Sequence, residues 1–419
     1  MTTGALNIVV VEFLPSGGMF QFSYLFADAL AAAGHRVTLL TGPDPELRAR
    51  RPGLTIQPIL PTWHPNADEA TGVRRKVRRG VRALQLAESW RRVIGYVRRH
   101  QPDVVQFGEL RYALDSAALL MLTGFLRRAA GSTAVVDVAH NPVPYDVTSA
   151  DASVEKAGRI TRNLLGRAYR ACDLVLVLGD GPRQDLLREF PEVRRVAVCG
   201  HGDYSAVLAS SQVPPPSSAG PNALLFGAWT KYKNIPLLLD AFQLLRAELP
   251  TARLTIAGPV MPDVDLAGIS ARAADIGQVD LRPGYVPMES LPELFGDHRL
   301  VMFPYETVNI SGSVHMAYTF GRPVVATRVG GMSDVVVDGV TGLLCEPEAG
   351  GIAAAMTRVL DAATADRMGA AAAAHSEAAA SWSTVADKAV AAYRGALTKE
   401  AVEAASVARG LPAASRPTA

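Results

Sequence analysis

Twice along this chain of 419 residues, short unbroken apolar runs alternate with amphipathic stretches, and few folds accept that pattern. The first half gives "LNIVVVEF", "RVTLLTG", "PDVVQFGE", "STAVVDVAH", "CDLVLVLG" and "VRRVAVCGHG", and the helical "MFQFSYLFADALAAAG", closing at Gly34, separates the first two. The runs are continuous rather than alternating, as in strands covered on both faces of a parallel sheet. After "SSQVPPPSSAGPN", too rich in Pro and Ser to build a core, the alternation restarts. The second half reads "ALLFGAW", a helix near 236–249, "RLTIAG", a helix near 265–276, then "VDLRPGYV", "RLVMFPY", "RPVVATRVGG" and "TGLLCEP". The expectation is an α/β chain of two Rossmann-like parallel-sheet domains facing a cleft. An N-terminal domain takes 1–208, a linker 209–222 and a second domain 223–380. Residues 381–419 are an Ala-rich helix running to about 408 and a frayed tail, with no chemistry of their own.

The length exceeds what one core usually serves, and 49% hydrophobic with 20% charged residues is a globular balance. A net charge of +2 excludes a bulk basic nucleic-acid binder, so no nucleic-acid partner is expected. Cys172, Cys199 and Cys345 are far apart and lack C-x-x-C spacing, which fits reduced thiols in the cytoplasm rather than a disulfide framework or zinc site. The start, "MTTGALNIVVVEF", has no basic leader region, and no apolar run is long enough to span a bilayer.

Three turns stand out. Gly17 and Gly18 join the first strand to the first helix, where a turn needs glycine or a ligand approaches the backbone; both readings stay open. "FGAWTKYKN" puts Gly227, Lys231 and Lys233 into the turn that opens the second domain. Further on, Ser311, Gly312, Ser313 and Val314 begin a helical segment reaching Gly321, as an ordinary Ser cap or as a phosphate cradle of free N–H groups and hydroxyls. A basic strand-to-helix turn and a Ser-Gly-Ser helix start in one domain both lie at the crevice end of a parallel sheet, and a nucleoside diphosphate needs both. Asp334, after Gly330 and Gly331, either accepts from sugar hydroxyls or serves a helix first turn.

Together "PSGGMFQFSYLFADALAAAGHRVTLLT", "AHNPVPYD", "CGHGDY", "FGAWTKYKNIPLLLDAF" and "SGSVHMAYTFGRPVVATRVGGMSDVVVDGVTGLL" resemble the GT-B glycosyltransferases of family 4 over most of residues 6–350. The resemblance implies retaining, metal-independent transfer from a UDP- or GDP-sugar donor to a small-molecule, glycan or lipid-linked acceptor, with no cofactor beyond the donor. It places Lys233 on the phosphate-binding lysine, Gly17 and Gly18 on the glycine loop beside donor and acceptor, and His140 near the donor sugar. His201 and Gly202 fall on the interdomain loop and line the cleft. Ala228 stands where the family usually has an arginine, which leaves Lys231 as its replacement. The family's paired glutamates fall at Val308 and Met316, so Glu306, two positions from the first, is the candidate carboxylate. A partner protein that binds nucleotide sugars without turnover and a sugar-nucleotide 2-epimerase share the fold and stay open as alternatives.

"TGVRRKVRRGVRALQLAESWRRVIGYVRRH" remains. Val73, Val77, Val81 and Leu84 form an apolar stripe among six basic residues between Arg74 and Arg82. The stretch 73–99 is either a solvated basic face or a peripheral contact with the anionic inner face of a membrane.

Overall fold

A computed structural model of the protein describes residues 4–61, 72–110, 112–128, 133–142, 158–205, 213–307, 312–379 and 381–397. The first sheet holds β1 (Asn7–Val11), β2 (Arg36–Leu40), β3 (Leu54–Gln57), β4 (Val104–Phe107), β5 (Ala134–Ala139), β6 (Leu174–Val177) and β7 (Val196–Val198) in the order β3-β2-β1-β4-β5-β6-β7. The second holds β8 (Asn222–Phe226), β9 (Arg253–Gly258), β10 (Val279–Pro283), β11 (Leu300–Phe303), β12 (Val324–Thr327) and β13 (Gly342–Cys345) in the order β10-β9-β8-β11-β12-β13. Adjacent strands of both sheets pair in parallel, with Ile8 of β1 opposite Val37 and Val104, and Leu224 of β8 opposite Thr255 and Val301. The expected architecture of two Rossmann-like α/β domains is present. The strand "LTIQ" of β3, too short to register as an apolar run, was not anticipated.

Helix α1 (Gly18–Ala32) covers one face of the first sheet, with Phe20, Phe22, Phe26 and Leu30 buried. On the other face lie α2 (Gly72–His100), α3 (Ala113–Arg128), α4 (Arg159–Ala171) and α5 (Asp180–Glu189), which bury Trp90, Val93, Leu119, Leu122, Leu165 and Leu186 in one cluster. In the second domain α6 (Ile235–Glu248) and α11 (Ala349–Leu360) share a core of Leu238, Phe242, Ile352 and Met356. The sequence starts α6 clearly: Asn234 in the left-handed conformation accepts the Leu237 N–H at 3.4 Å, and Pro236 sits in the first turn. The smaller helices are α7 (Leu266–Ile276), α8 (Leu291–Gly296), α9 (Gly312–Thr319) and α10 (Met332–Val335); α12 (Ala362–Ala379) and α13 (Trp382–Leu397) follow α11.

Two segments do more than expected. The described part of the linker, from Val213, is strapped to the second domain, because the fully buried Arg322 donates to Phe295 O at 2.7 Å and to Pro214 O at 2.7 Å. Helix α13 returns to the first domain and packs on α1, where the Tyr393 hydroxyl bonds Gln106 of β4. The helical part of 381–419 therefore packs into the N-terminal core; residues 398–408 of the expected helix lie outside the described residues. One apolar cluster runs without a break from Phe26 and Trp382 to Phe295 and Tyr318, joining the two domains.

Candidate functional site

In each sheet the first strand lies beside the fourth in chain order, so the loops leaving these neighbours diverge and a crevice opens between them. In the second domain the neighbours are β8 and β11. The turn after β8 carries Lys233, and the segment after β11 leads into α9, which carries Gly312 and Ser313. Topology thus brings together two stretches eighty residues apart.

The Lys231–Lys233 segment is a single 3-10 turn that separates its two lysines. Lys231 is exposed and its backbone N–H is spent on Asp263 Oδ2 at 2.9 Å. Lys233 is only 4% exposed; its Nζ donates to Phe226 O at 3.1 Å and lies 5.5 Å from the centre of the Tyr305 ring. Gly227, at φ +104°, turns the chain beneath it. A Cβ added there would stand 2.7 Å from Lys233 Nζ and 3.3 Å from Ser313 Oγ, so the ammonium and the hydroxyl face each other across a space kept open by glycine. Burial pulls the Lys233 amine down to about 7. With the N-terminus of α9 alongside, the group would regain its charge against an anion.

Other residues expected here stand as follows. Val314 is buried in the core, so only its backbone can reach the site. Met316 is buried there too, so the second glutamate position of the family points into apolar packing. Val308 and Ser311 lie outside the described residues. Glu306 is exposed, and its N–H donates to Tyr232 O at 2.7 Å, which ties it to the lysine turn. Asp334 Oδ2 lies where a Cβ at Gly181 would be 3.0 Å away, so it abuts the first turn of α5 in the opposite domain. The only Asp-x-Asp spacing in the sequence, Asp263 and Asp265, serves backbone: Asp263 holds Lys231, and Asp265 Oδ1 caps Gly268 N–H at 3.0 Å.

The facing wall belongs to the first domain. The ring of His140, just past β5, meets the Phe22 ring edge-on at 4.5 Å, and His201 approaches the same ring at 5.1 Å. His201 Nδ1 lies 2.6 Å from Gly202 O, which makes Nδ1 the donor and leaves Nε2 as the acceptor. A Cβ at Gly312 would stand 3.2 Å from that Nε2 and from the Tyr204 hydroxyl, so the interdomain loop presses on the tip of α9. His201 also stacks on His315 of α9 at 4.7 Å and 3°. Burial lowers His201 to about 4 and His315 well below its ordinary value, so both rings are neutral at pH 7. Gly202 is required by packing, because any side chain there would overlap the Trp382 indole. Gly18 is exposed to open space, whereas the Gly17 N–H is bonded to Glu46 Oε2 at 3.1 Å. Glu46 also receives the Tyr285 hydroxyl from across the cleft. Phe22, Glu46, Tyr285 and Trp382 escaped sequence reasoning, since their partners stand far away along the chain.

Two parallel-sheet Rossmann-like domains facing across a cleft are the GT-B architecture. Residues 16–202 match the model of "Glycosyltransferase Family 4" and residues 220–362 that of "Glycosyl transferases group 1". The chain belongs to the family 4 glycosyltransferases. It is 30% identical over 236 residues to a D-inositol 3-phosphate glycosyltransferase of Streptomyces griseus, a match covering 54% of this chain and 49% of the relative; the chain thus spans about half the length of that protein. A glycogen synthase of Mycobacterium tuberculosis is 25% identical over 82% of this chain and 83% of its own. Among solved structures, sucrose-phosphate synthase from Thermosynechococcus elongatus superposes with a TM-score of 0.67 at 19% identity, covering 92% of this chain and 98% of the other, and shows the shared fold.

Proposed function

We propose that this chain transfers a sugar from a UDP- or GDP-linked donor to an acceptor hydroxyl, with retention at the anomeric carbon and without a metal. The observation that carries the reading is the meeting of Lys233 Nζ and Ser313 Oγ over Gly227. As the bond from the anomeric carbon to the diphosphate breaks, its electron pair leaves on the β-phosphate. Lys233, the Ser313 hydroxyl and the N–H groups opening α9 are the donors aimed at that charge. The acceptor oxygen forms the new bond, and its proton can pass to the leaving diphosphate. His140 is assigned to a donor hydroxyl, and Gly17 and Gly18 to the glycine loop beside donor and acceptor. Glu306 is assigned to the sugar-facing carboxylate position. The three cysteines, free and at least partly buried, support a cytoplasmic location, and among the described residues no helix is long and apolar enough to cross a membrane.

Purified protein should slowly hydrolyse UDP- or GDP-sugars. Lys233→Ala should lower that rate by roughly 10²–10³-fold, about 3–4 kcal/mol of lost charge stabilisation, with an unchanged circular dichroism spectrum. The burial of Met316 favours a second reading, a binding protein without turnover. Tight donor binding with no hydrolysis and no transfer to any acceptor would establish that reading instead of the first.

A further inference from the structure

We propose that Glu46 is a positioning residue for the glycine loop, and that Tyr285, reaching it from the C-terminal domain, makes the set of that loop depend on closure of the cleft. The proposal rests on the transferase reading for the claim that the loop serves donor and acceptor; the coupling itself does not require turnover. Glu46 stands in the loop after β2, where its N–H donates to Pro15 O at 2.9 Å. Its Oε2 accepts the Gly17 N–H at 3.1 Å, and Nε2 of the buried Gln21 lies 3.3 Å from both carboxylate oxygens. Gly17, at φ +83°, precedes α1 and has no side chain to cap it, so Glu46 brings to that helix start the carboxylate that a capping residue would supply. The third donor, the Tyr285 hydroxyl, comes from the loop after β10. Burial and the Glu46 carboxylate push that hydroxyl up, so it stays protonated and donates at neutral pH.

Topology makes this bond a closure contact. In the first sheet β2 lies to one side of β1 and β6 to the other; in the second, β10 lies to one side of β8 and β12 to the other. The loops after β2 and β10 meet at one flank of the cleft through Glu46 and Tyr285, and those after β6 and β12 meet at the other flank through the first turn of α5 and Asp334. The space over Gly227 lies between the two flanks. Elsewhere the domains share a buried apolar cluster, which is costly to separate. The Glu46–Tyr285 contact is instead a hydrogen bond between two loops, able to break and re-form as the lobes move. When it breaks, the half-buried carboxylate loses the donor from the opposite domain, and its hold on Gly17 slackens.

The test is amide hydrogen exchange of the full chain, read by mass spectrometry without donor. Tyr285→Phe removes one oxygen from the C-terminal domain and should speed exchange in the glycine loop, residues 14–18, by at least about threefold. Glu46→Ala should speed it as much or more, and Glu46→Gln less, since an amide oxygen can still accept from Gly17. In Tyr285→Phe, exchange in β4 and β9 and thermal melting should stay as in the native protein. Unchanged loop exchange in Tyr285→Phe, or a rise shared by β4 and β9, would overturn the proposal. Under turnover, Tyr285→Phe should lower kcat for donor hydrolysis about tenfold and leave the donor KM within about twofold; an unchanged kcat would overturn the positioning role. Since exchange is read without donor, a protein that turns nothing over fails the transferase reading while exchange still decides the coupling.

Discussion

In the C-terminal domain the groups that meet over Gly227 come from the turn after β8 and the helix after its neighbour β11, and each is placed by its own strand or helix end. The wall opposite draws on Phe22, His140, His201 and Trp382, side chains spread over 360 residues and packed ring against ring. One half of the cleft is thus built by backbone geometry and the other by tertiary packing. The difference assigns them different work. A cradle fixed by strand ends can offer charge to a diphosphate without reorganising. A wall held by aromatic contacts ties the domains together.

The largest effect should come from the packed half. Trp382 touches Phe22 and Phe26, overlies Gly202 and hands its indole N–H to Asp203 O, so α13 is pinned through one side chain. Trp382→Ala should cost about 3–5 kcal/mol of stability, read as a lowered denaturation midpoint, while affinity for free nucleoside diphosphate changes little. A comparable loss of nucleotide affinity would erase the contrast between the two halves.

The cradle should respond to pH instead. With its amine held near 7 in the free protein, Lys233 binds fewer protons than in the unfolded chain, whose ordinary value is 10.5. The sign follows: between about 7 and 10.5 this group's contribution to stability rises with pH, and the penalty for charging it is full below 7. A bound diphosphate restores the charge, so binding takes up a proton above pH 7. Affinity for nucleoside diphosphate should then fall roughly fiftyfold between about pH 7 and 9, provided the amine's value in the complex lies above that range. Calorimetric titration should show the fall in the native protein and its loss in Lys233→Met.

The same contrast explains what the sequence let one read. Continuous apolar runs such as "LVLV" of β6 and "LVMF" of β11 mark buried parallel strands, so both sheets were legible, as was the approach of Lys233 to Ser313, because both adjoin the ends of such elements. Which lysine turned inward was legible only through the family resemblance and not from the residue pattern, since that depends on the single 3-10 turn before Asn234. Nor was Glu46, whose partners Gln21 and Tyr285 stand 25 and 239 residues away.

The claim on which the account turns is that Lys233 and Ser313 act on one anion. A double-mutant cycle on nucleoside diphosphate affinity, with Lys233→Met, Ser313→Ala and the pair, reads it directly. A coupling of about 1 kcal/mol or more is predicted. Additivity of the two losses to within about 0.3 kcal/mol would contradict it.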